Sequence, residues 1–147
     1  MKKYSLLIIL FMLFSCVEEV KKKDIVYLSP DCGCCHKWIS HMESNNFSLE
    51  KNMTSNMYDV KINAGLPIDL ASCHTALING YFIEGHVPAK DVKRLIKENP
   101  DSIIGLTVPG MPAGINVPGM EVNNEIANYD VLAIHSNGKS SVWAHYE

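Results

Sequence analysis

The chain has 147 residues, 47 % of them hydrophobic and 20 % charged, with a formal net charge of −3. That length fits one domain large enough to bury a core, and the composition excludes a low-complexity or disordered chain. A net negative chain without a basic face argues against nucleic acid as a partner.

In chain order, the first feature is a leader. Lys2 and Lys3 form a positive start, and Leu6 to Phe14 is an apolar run too short to span a membrane as a stable helix. Leu13-Phe14-Ser15-Cys16 then resembles a bacterial lipobox. This predicts a signal peptide over 1–16 ending at a lipidated Cys16, a polar tether over 17–23, and a domain over 24–147. An ordinary signal peptide and an uncleaved anchor are the competing readings. On the lipoprotein reading the mature chain keeps 11 basic against 16 acidic residues, a formal −5. It would stand in the cell envelope, facing the periplasm and held to a membrane by lipid at Cys16.

Ile25 to Leu28 is a short β-prone run and predicts a buried first strand. Ser29-Pro30-Asp31 predicts a turn with Asp31 as helix cap, and Cys35, Trp38, Ile39 and Met42 recur at helical spacing until Ser44-Asn45-Asn46. A second strand is predicted at Phe47-Ser48-Leu49. A helix is predicted over Met53 to Ala64 with Met57, Val60 and Ile62 on its core face, so Met42, Met53 and Met57 are assigned to the core. Thr75 to Ile78 and Tyr81 to Glu84 flank Asn79-Gly80, a strong hairpin signal. After Pro88, a helix presents Val92, Leu95 and Ile96 and stops at Asn99-Pro100. Gly105 to Met120 is too rich in Gly and Pro for a helix and reads as a shaped loop, in which Val108-Pro109-Gly110-Met111 nearly recurs as Val117-Pro118-Gly119-Met120. Tyr129 to Ile134 and Ser140 to His145 predict a closing hairpin around Ser136 to Lys139. The order strand, Cys motif, helix, strand, helix, hairpin, helix predicts an α/β, thioredoxin-like central sheet with flanking helices. The Met/Pro/Gly loop and the last hairpin are additions to it.

The chemistry concentrates in Cys32-Gly33-Cys34-Cys35, at the mouth of the first helix. Unpaired N–H groups and the positive end of the helix dipole there favour thiolates. In a thioredoxin-like arrangement the loop entering the hairpin would bring Cys73 to the same place. Adjacent Cys34 and Cys35 sit about 3.8 Å apart at Cα, too close for an unstrained disulfide. Cys32 and Cys35, one helical turn apart, have the spacing of a redox pair. A Cys-x-Cys-Cys run is not the usual zinc arrangement, whose paired ligands stand two to four residues apart, because Cys34 and Cys35 are adjacent. Four thiolates carry −4, which several monovalent soft ions neutralise better than one divalent ion, and this favours Cu(I) in a small cluster of more than one ion. Three readings stay open at this point: soft-metal binding, disulfide chemistry without metal, and a zinc site.

Among the other candidate donors, His74 follows Cys73 directly, His86 precedes Pro88, and Met111 and Met120 lie in loops where a thioether has little packing to do. His36 is expected to point away from the cluster and His41 and His135 to lie on the surface; nothing fixes the direction of His145. Trp38, Trp143 and the tyrosines read as packing. No Ser-His-Asp arrangement, phosphate-cradling loop or paired carboxylates stand out.

These motifs in order, Ser29 to Cys35 with Lys37-Trp38 and His41-Met42, Leu70-Ala71-Ser72-Cys73-His74-Thr75-Ala76, Gly80-Tyr81, Ile83 to Ala89, Val108 to Pro112, Pro118 to Glu121 and Tyr129-Asp130-Val131, resemble the CopG-like family. These are small exported bacterial copper proteins, and the resemblance spans nearly the whole mature domain. It implies a thioredoxin-like fold, copper handling in the periplasm, and copper held by the cysteines that here are Cys32, Cys34, Cys35 and Cys73. His36 stands where such sequences usually carry lysine, and the Pro112 to Val117 spacer is slightly longer than usual. The expected function is therefore an exported copper-binding protein of copper resistance, its Cu(I) coupled to Cys32–Cys35 disulfide formation. The expected partners are copper ions, the membrane through the lipid, and other periplasmic copper-handling proteins. Whether it is an enzyme, acting on copper or on thiols, is left open. The alternatives are a metal-free, membrane-tethered thiol–disulfide oxidoreductase and a structural zinc interaction module.

Overall fold

A computed structural model describes residues 23–147 except Asn123. The leader, its lipobox and Cys16 lie outside the described residues. Among the described residues no helix is long and apolar enough to cross a membrane.

Strand β1 (Ile25–Leu28) is followed by helix α1 (Gly33–Ser44), β2 (Glu50–Met53) and α2 (Met57–Asn63). A short 3-10 turn (Ile68–Leu70) leads into the hairpin β3 (Thr75–Ile78) and β4 (Tyr81–Glu84). Then come α3 (Ala89–Glu98), β5 (Ile103–Thr107) and the hairpin β6 (Tyr129–His135) and β7 (Ser140–Tyr146). The strands form a single sheet in the order β2-β1-β3-β4-β5-β6-β7. β1 runs parallel to β2 and antiparallel to β3, and β3 is antiparallel to β4. This four-stranded unit with its helices is the thioredoxin-like core. β5, parallel to β4, and the β6–β7 hairpin widen it.

The apolar stripe of α1 behaves as its spacing predicts: Cys35, Trp38, Ile39 and Met42 are all fully buried. They pack in one core with Val26, Leu28, Ile78, Ile83 and Leu106 of the sheet and Val92 and Leu95 of α3. Trp38 Nε1 donates to the Val87 carbonyl at 2.9 Å, which ties α1 to the segment between β4 and α3. Such a partner removes the cost of burying the indole N–H, while the ring supplies a large apolar area.

Four expectations are corrected. Cys32, not Asp31, occupies the cap position of α1, and no side chain caps it. β2 lies at Glu50–Met53 rather than Phe47–Leu49. Met53 is thus 55 % exposed on an edge strand instead of packed in a core. α2 is only Met57–Asn63, its sole buried residue is Lys61, and Ile62 is exposed. Finally, Ile103–Thr107 is a strand inside the sheet, although the composition from Gly105 onward predicts a loop. Glycine normally weakens a strand. Here a Cβ at Gly105 would run into the Phe82 carbonyl and ring, so the close approach of β5 to β4 requires it.

His41 is also not a free surface residue. It is half-buried, and its Nε2 accepts the Ala89 N–H at 3.1 Å, at the first turn of α3. Burial holds its pKa below 6.5 against the opposing charge of Glu121, with Lys93 adding to the lowering. The folded state therefore binds this proton less readily than the unfolded one. The contribution of His41 is complete above about pH 6.5 and shrinks as pH falls toward the lowered folded value. Thermal melts of metal-free protein between neutral and mildly acid pH should show His41→Gln, which keeps an acceptor but does not titrate, losing less stability on acidification than wild type. Parallel pH profiles for the two proteins would refute this role.

Candidate metal centre

β1 ends at Leu28, and the turn that follows places the Cys32 N–H on the Ser29 carbonyl at 3.1 Å before α1 begins. The helix then sorts its thiols by direction. Cys35 faces the core and is fully buried, while Cys32 and Cys34 are half-buried at the rim. Cys32 and Cys35 are joined by a disulfide with a Cα–Cα distance of 5.4 Å, and Cys34 and Cys73 are free thiols. Cys34 Sγ lies 3.5 Å from Cys32 Sγ. Cys73 arrives on the loop into β3, and its sulfur and those of Cys32, Cys34 and Cys35 all lie within 4.8 Å of one another.

Two imidazoles stand behind Cys73. Its Sγ is 3.3 Å from His86 Nε2 and 3.3 Å from His74 Nδ1. His86 Nδ1 is 2.8 Å from the Pro118 carbonyl, which can only accept, so Nδ1 carries the proton and Nε2 turns a lone pair toward the sulfur. His74 packs on Trp38 with centroids 4.4 Å apart and meets His86 edge-on at 5.2 Å. Its Nε2 is buried without a hydrogen-bond partner. Burial lowers the pKa of both rings. For His74 the neighbouring His86 and Lys61 add to the lowering, opposed by a backbone bond to Gly85; for His86 the Pro118 carbonyl and Glu121 oppose it. Both rings are therefore neutral near pH 7, the state in which imidazole binds metal.

Burial, and then Cys34, push the Cys73 thiol up to about 11, against a smaller lowering by the Ser72 hydroxyl. Without a cation this thiol keeps its proton at neutral pH. A soft cation is the kind of group that displaces such a proton, so sulfur and neutral nitrogen donors in this density fit Cu(I) chemistry. The donor atoms of Cys73, His74 and His86 likewise all lie within 4.8 Å of one another.

The other candidates are placed less closely. Met111 is 59 % exposed, whereas Met120 is half-buried against the main core. His145 is exposed and bonded to Asp130 at 2.7 Å, and His135 bonds Ser141. A groove of about 1350 Å³, lined among others by Tyr27, Thr54, Val60 and Phe82, shares no residue with the sulfur cluster. Three residues support the site in ways the sequence pattern does not reveal. Glu84 and Lys61 form a buried ion pair beneath the Cys73 loop. Gly119, at φ +83, lets the Pro-Gly-Met loop lie on α1, because a Cβ there would stand 2.7 Å from Trp38 N and 3.0 Å from the Cys34 carbonyl. Strand alternation cannot tell a buried glutamate from an exposed one, and Pro-Gly reads as a turn whatever it packs on.

The fold and site thus define a thioredoxin-like domain with four sulfur atoms gathered at the start of its first helix. Residues 70–120 match the family described as "Protein of unknown function, DUF411". A solved structure titled copper resistance protein CopG, form 2, is 39 % identical with a TM-score of 0.79, the match covering 85 % of this chain and 98 % of that one. Form 1 of the same protein is 40 % identical with a TM-score of 0.78, over 84 % of this chain and 96 % of that one. No curated protein matches the sequence. The chain belongs to the CopG-like family.

Proposed function

We propose that the protein is an exported copper-binding protein of copper resistance or homeostasis, whose cargo is more than one Cu(I) ion. Cys32, Cys34, Cys35 and Cys73 are its thiolate donors, His86 and His74 its imidazole donors, and Met111 and Met120 flanking thioethers. The observation that carries the reading is the meeting of four sulfur atoms within 4.8 Å of one another, with two imidazoles on Cys73. The proteins it resembles are titled copper resistance proteins. Cys34 and Cys35 diverge, one to the rim and one to the core, which suits bridging between several ions better than closing on one.

The Cys32–Cys35 disulfide is the natural oxidised form of this site. A dithiol partner in the envelope would reduce it by exchange, two electrons and two protons passing to Cys32 and Cys35 as the partner's thiols close into a disulfide. Exchange with a disulfide of such a partner, which takes up the two electrons and two protons and leaves as a dithiol, would re-form the Cys32–Cys35 bond, withdraw two of the four sulfur donors and release the metal. A lipid on Cys16 and a seven-residue tether over 17–23 would keep this exchange at a membrane surface.

Titration of the reduced protein with Cu(I), followed by native mass spectrometry, should show more than one retained ion. Retention of none would end the reading. The disulfide itself favours a second reading, a metal-free thiol–disulfide oxidoreductase using Cys32 and Cys35. That alternative predicts turnover of a dithiol substrate unaffected by a Cu(I) chelator. A structural zinc module would instead hold a redox-silent zinc and unfold on chelation.

A further inference from the structure

Glu84 ends β4 with no exposed surface, and Lys61 is the only buried residue of α2. Their side chains pair at 2.5 Å. Such a pair is a weak source of stability, because taking two charges out of water costs about as much as their attraction returns. What it supplies is direction. Glu84 Oε1 also accepts the Ser72 N–H at 2.6 Å, its Oε2 accepts the Thr75 hydroxyl at 2.6 Å, and Lys61 Nζ donates to Thr75 Oγ1 at 3.1 Å.

The bonds to Ser72 and Thr75 fall on either side of Cys73-His74. On the outer side, Ser72 Oγ donates to the Gly110 carbonyl at 2.5 Å and the Gly110 N–H returns to the Ala71 carbonyl at 3.1 Å. On the inner side, the Gly85 N–H holds the His74 carbonyl at 2.9 Å. Gly85 leaves the space Ser72 needs: a Cβ there would sit 2.6 Å from the Ser72 Cβ. Cys73 therefore projects from a backbone clamped before and after it. The charged acceptor common to the two flanks is Glu84.

We infer that Glu84, its charge neutralised by Lys61, is the positioning residue that fixes the Cys73 sulfur against the sulfurs of α1. Its consequence for copper rests on the function proposed above; the placement of the thiol does not.

The test uses the protein with the Cys32–Cys35 disulfide intact, so that Cys34 and Cys73 are its two free thiols within the domain. Phenylarsine oxide joins two close thiols through one arsenic, two S–As bonds forming as the oxygen and both thiol protons leave as water. Wild type should capture one equivalent across Cys34 and Cys73. Lys61→Met/Glu84→Gln, which keeps an oxygen for the Ser72 N–H and leaves no unpaired charge, should do the same. Lys61→Met/Glu84→Met, with no acceptor, should bind the arsenical about tenfold more weakly or worse, the scale of one lost hydrogen bond to a buried partner. Equal capture by all three overturns the inference.

Should the Glu84→Met protein fail to fold, amide exchange of wild type decides the matter. A Ser72 amide as protected as those of β4 supports the clamp, and one exchanging at loop rates overturns it. If the arsenical results hold and none of these proteins, once reduced, retains Cu(I), the copper reading falls while the role of Glu84 stands.

Discussion

Cys73→Ser is expected to abolish retention of the copper cluster proposed above while leaving the fold in place. Cys73 is the residue shared by the four-sulfur group and the cysteine–histidine–histidine group. Removing it takes away one of the four sulfur donors and the atom toward which both imidazoles point. Changes outside the ligand shell already cost about 10- to 100-fold in metal affinity, so loss of this ligand should exceed roughly a hundredfold. Serine is nearly isosteric and the site is half-buried, so the melting temperature of the metal-free protein should move little. Competition with a Cu(I) chelator measures the first effect and a thermal melt the second. Cu(I) retention equal to wild type would show that the cluster does not depend on this loop. A metal-free Cys32/Cys35 oxidoreductase, by contrast, would keep its dithiol turnover in this variant.

Gly119→Ala should have a large effect on stability for a single added methyl. A positive φ alone costs a non-glycine residue about 1–2 kcal/mol. The new Cβ would also press on Trp38 N at 2.7 Å and on the Cys34 carbonyl at 3.0 Å. Those are backbone atoms of α1, which cannot swing aside as a side-chain tip would. A total of about 3 kcal/mol, near a 10 °C drop in melting temperature for a domain of this size, follows. Gly110→Ala is the matched control, with φ +67 and nothing within 4 Å of its Cβ. It should cost about 1 kcal/mol. Equal melting temperatures for the two variants would mean that the loop does not rest on the helix as described. Because Pro118 holds His86 through its carbonyl, Gly119→Ala should also weaken Cu(I) binding.

Much of this fold is legible in local pattern. Ile25 to Leu28, Thr75 to Ile78 and Tyr81 to Glu84 are strands with the bounds their composition suggests, since each is a short apolar run closed by turn residues. The α1 stripe is equally plain, because Cys35, Trp38, Ile39 and Met42 recur on one helical face. β5 escapes notice because Gly105 interrupts it, and the reason for that glycine lies across the sheet at Phe82. α2 misleads because its apolar residues Met57, Val60 and Ile62 look like a core face while its lysine is the buried residue.

The sequence by itself determined the chemistry: thiols clustered at Cys32, Cys34 and Cys35, a fourth at Cys73 entering a hairpin, and a loop too rich in proline and glycine to be regular. Spacing within a helix or strand is a short-range property, and composition records it. Only the tertiary structure decided which distant groups meet. It put His86 Nε2 on Cys73, the Pro118 carbonyl behind His86, and Glu84 beneath Ser72. These contacts join residues from 12 to 32 positions apart along the chain. They depend on the register of β3 with β4 and on how closely a glycine lets one backbone approach another, neither of which is encoded in any single stretch.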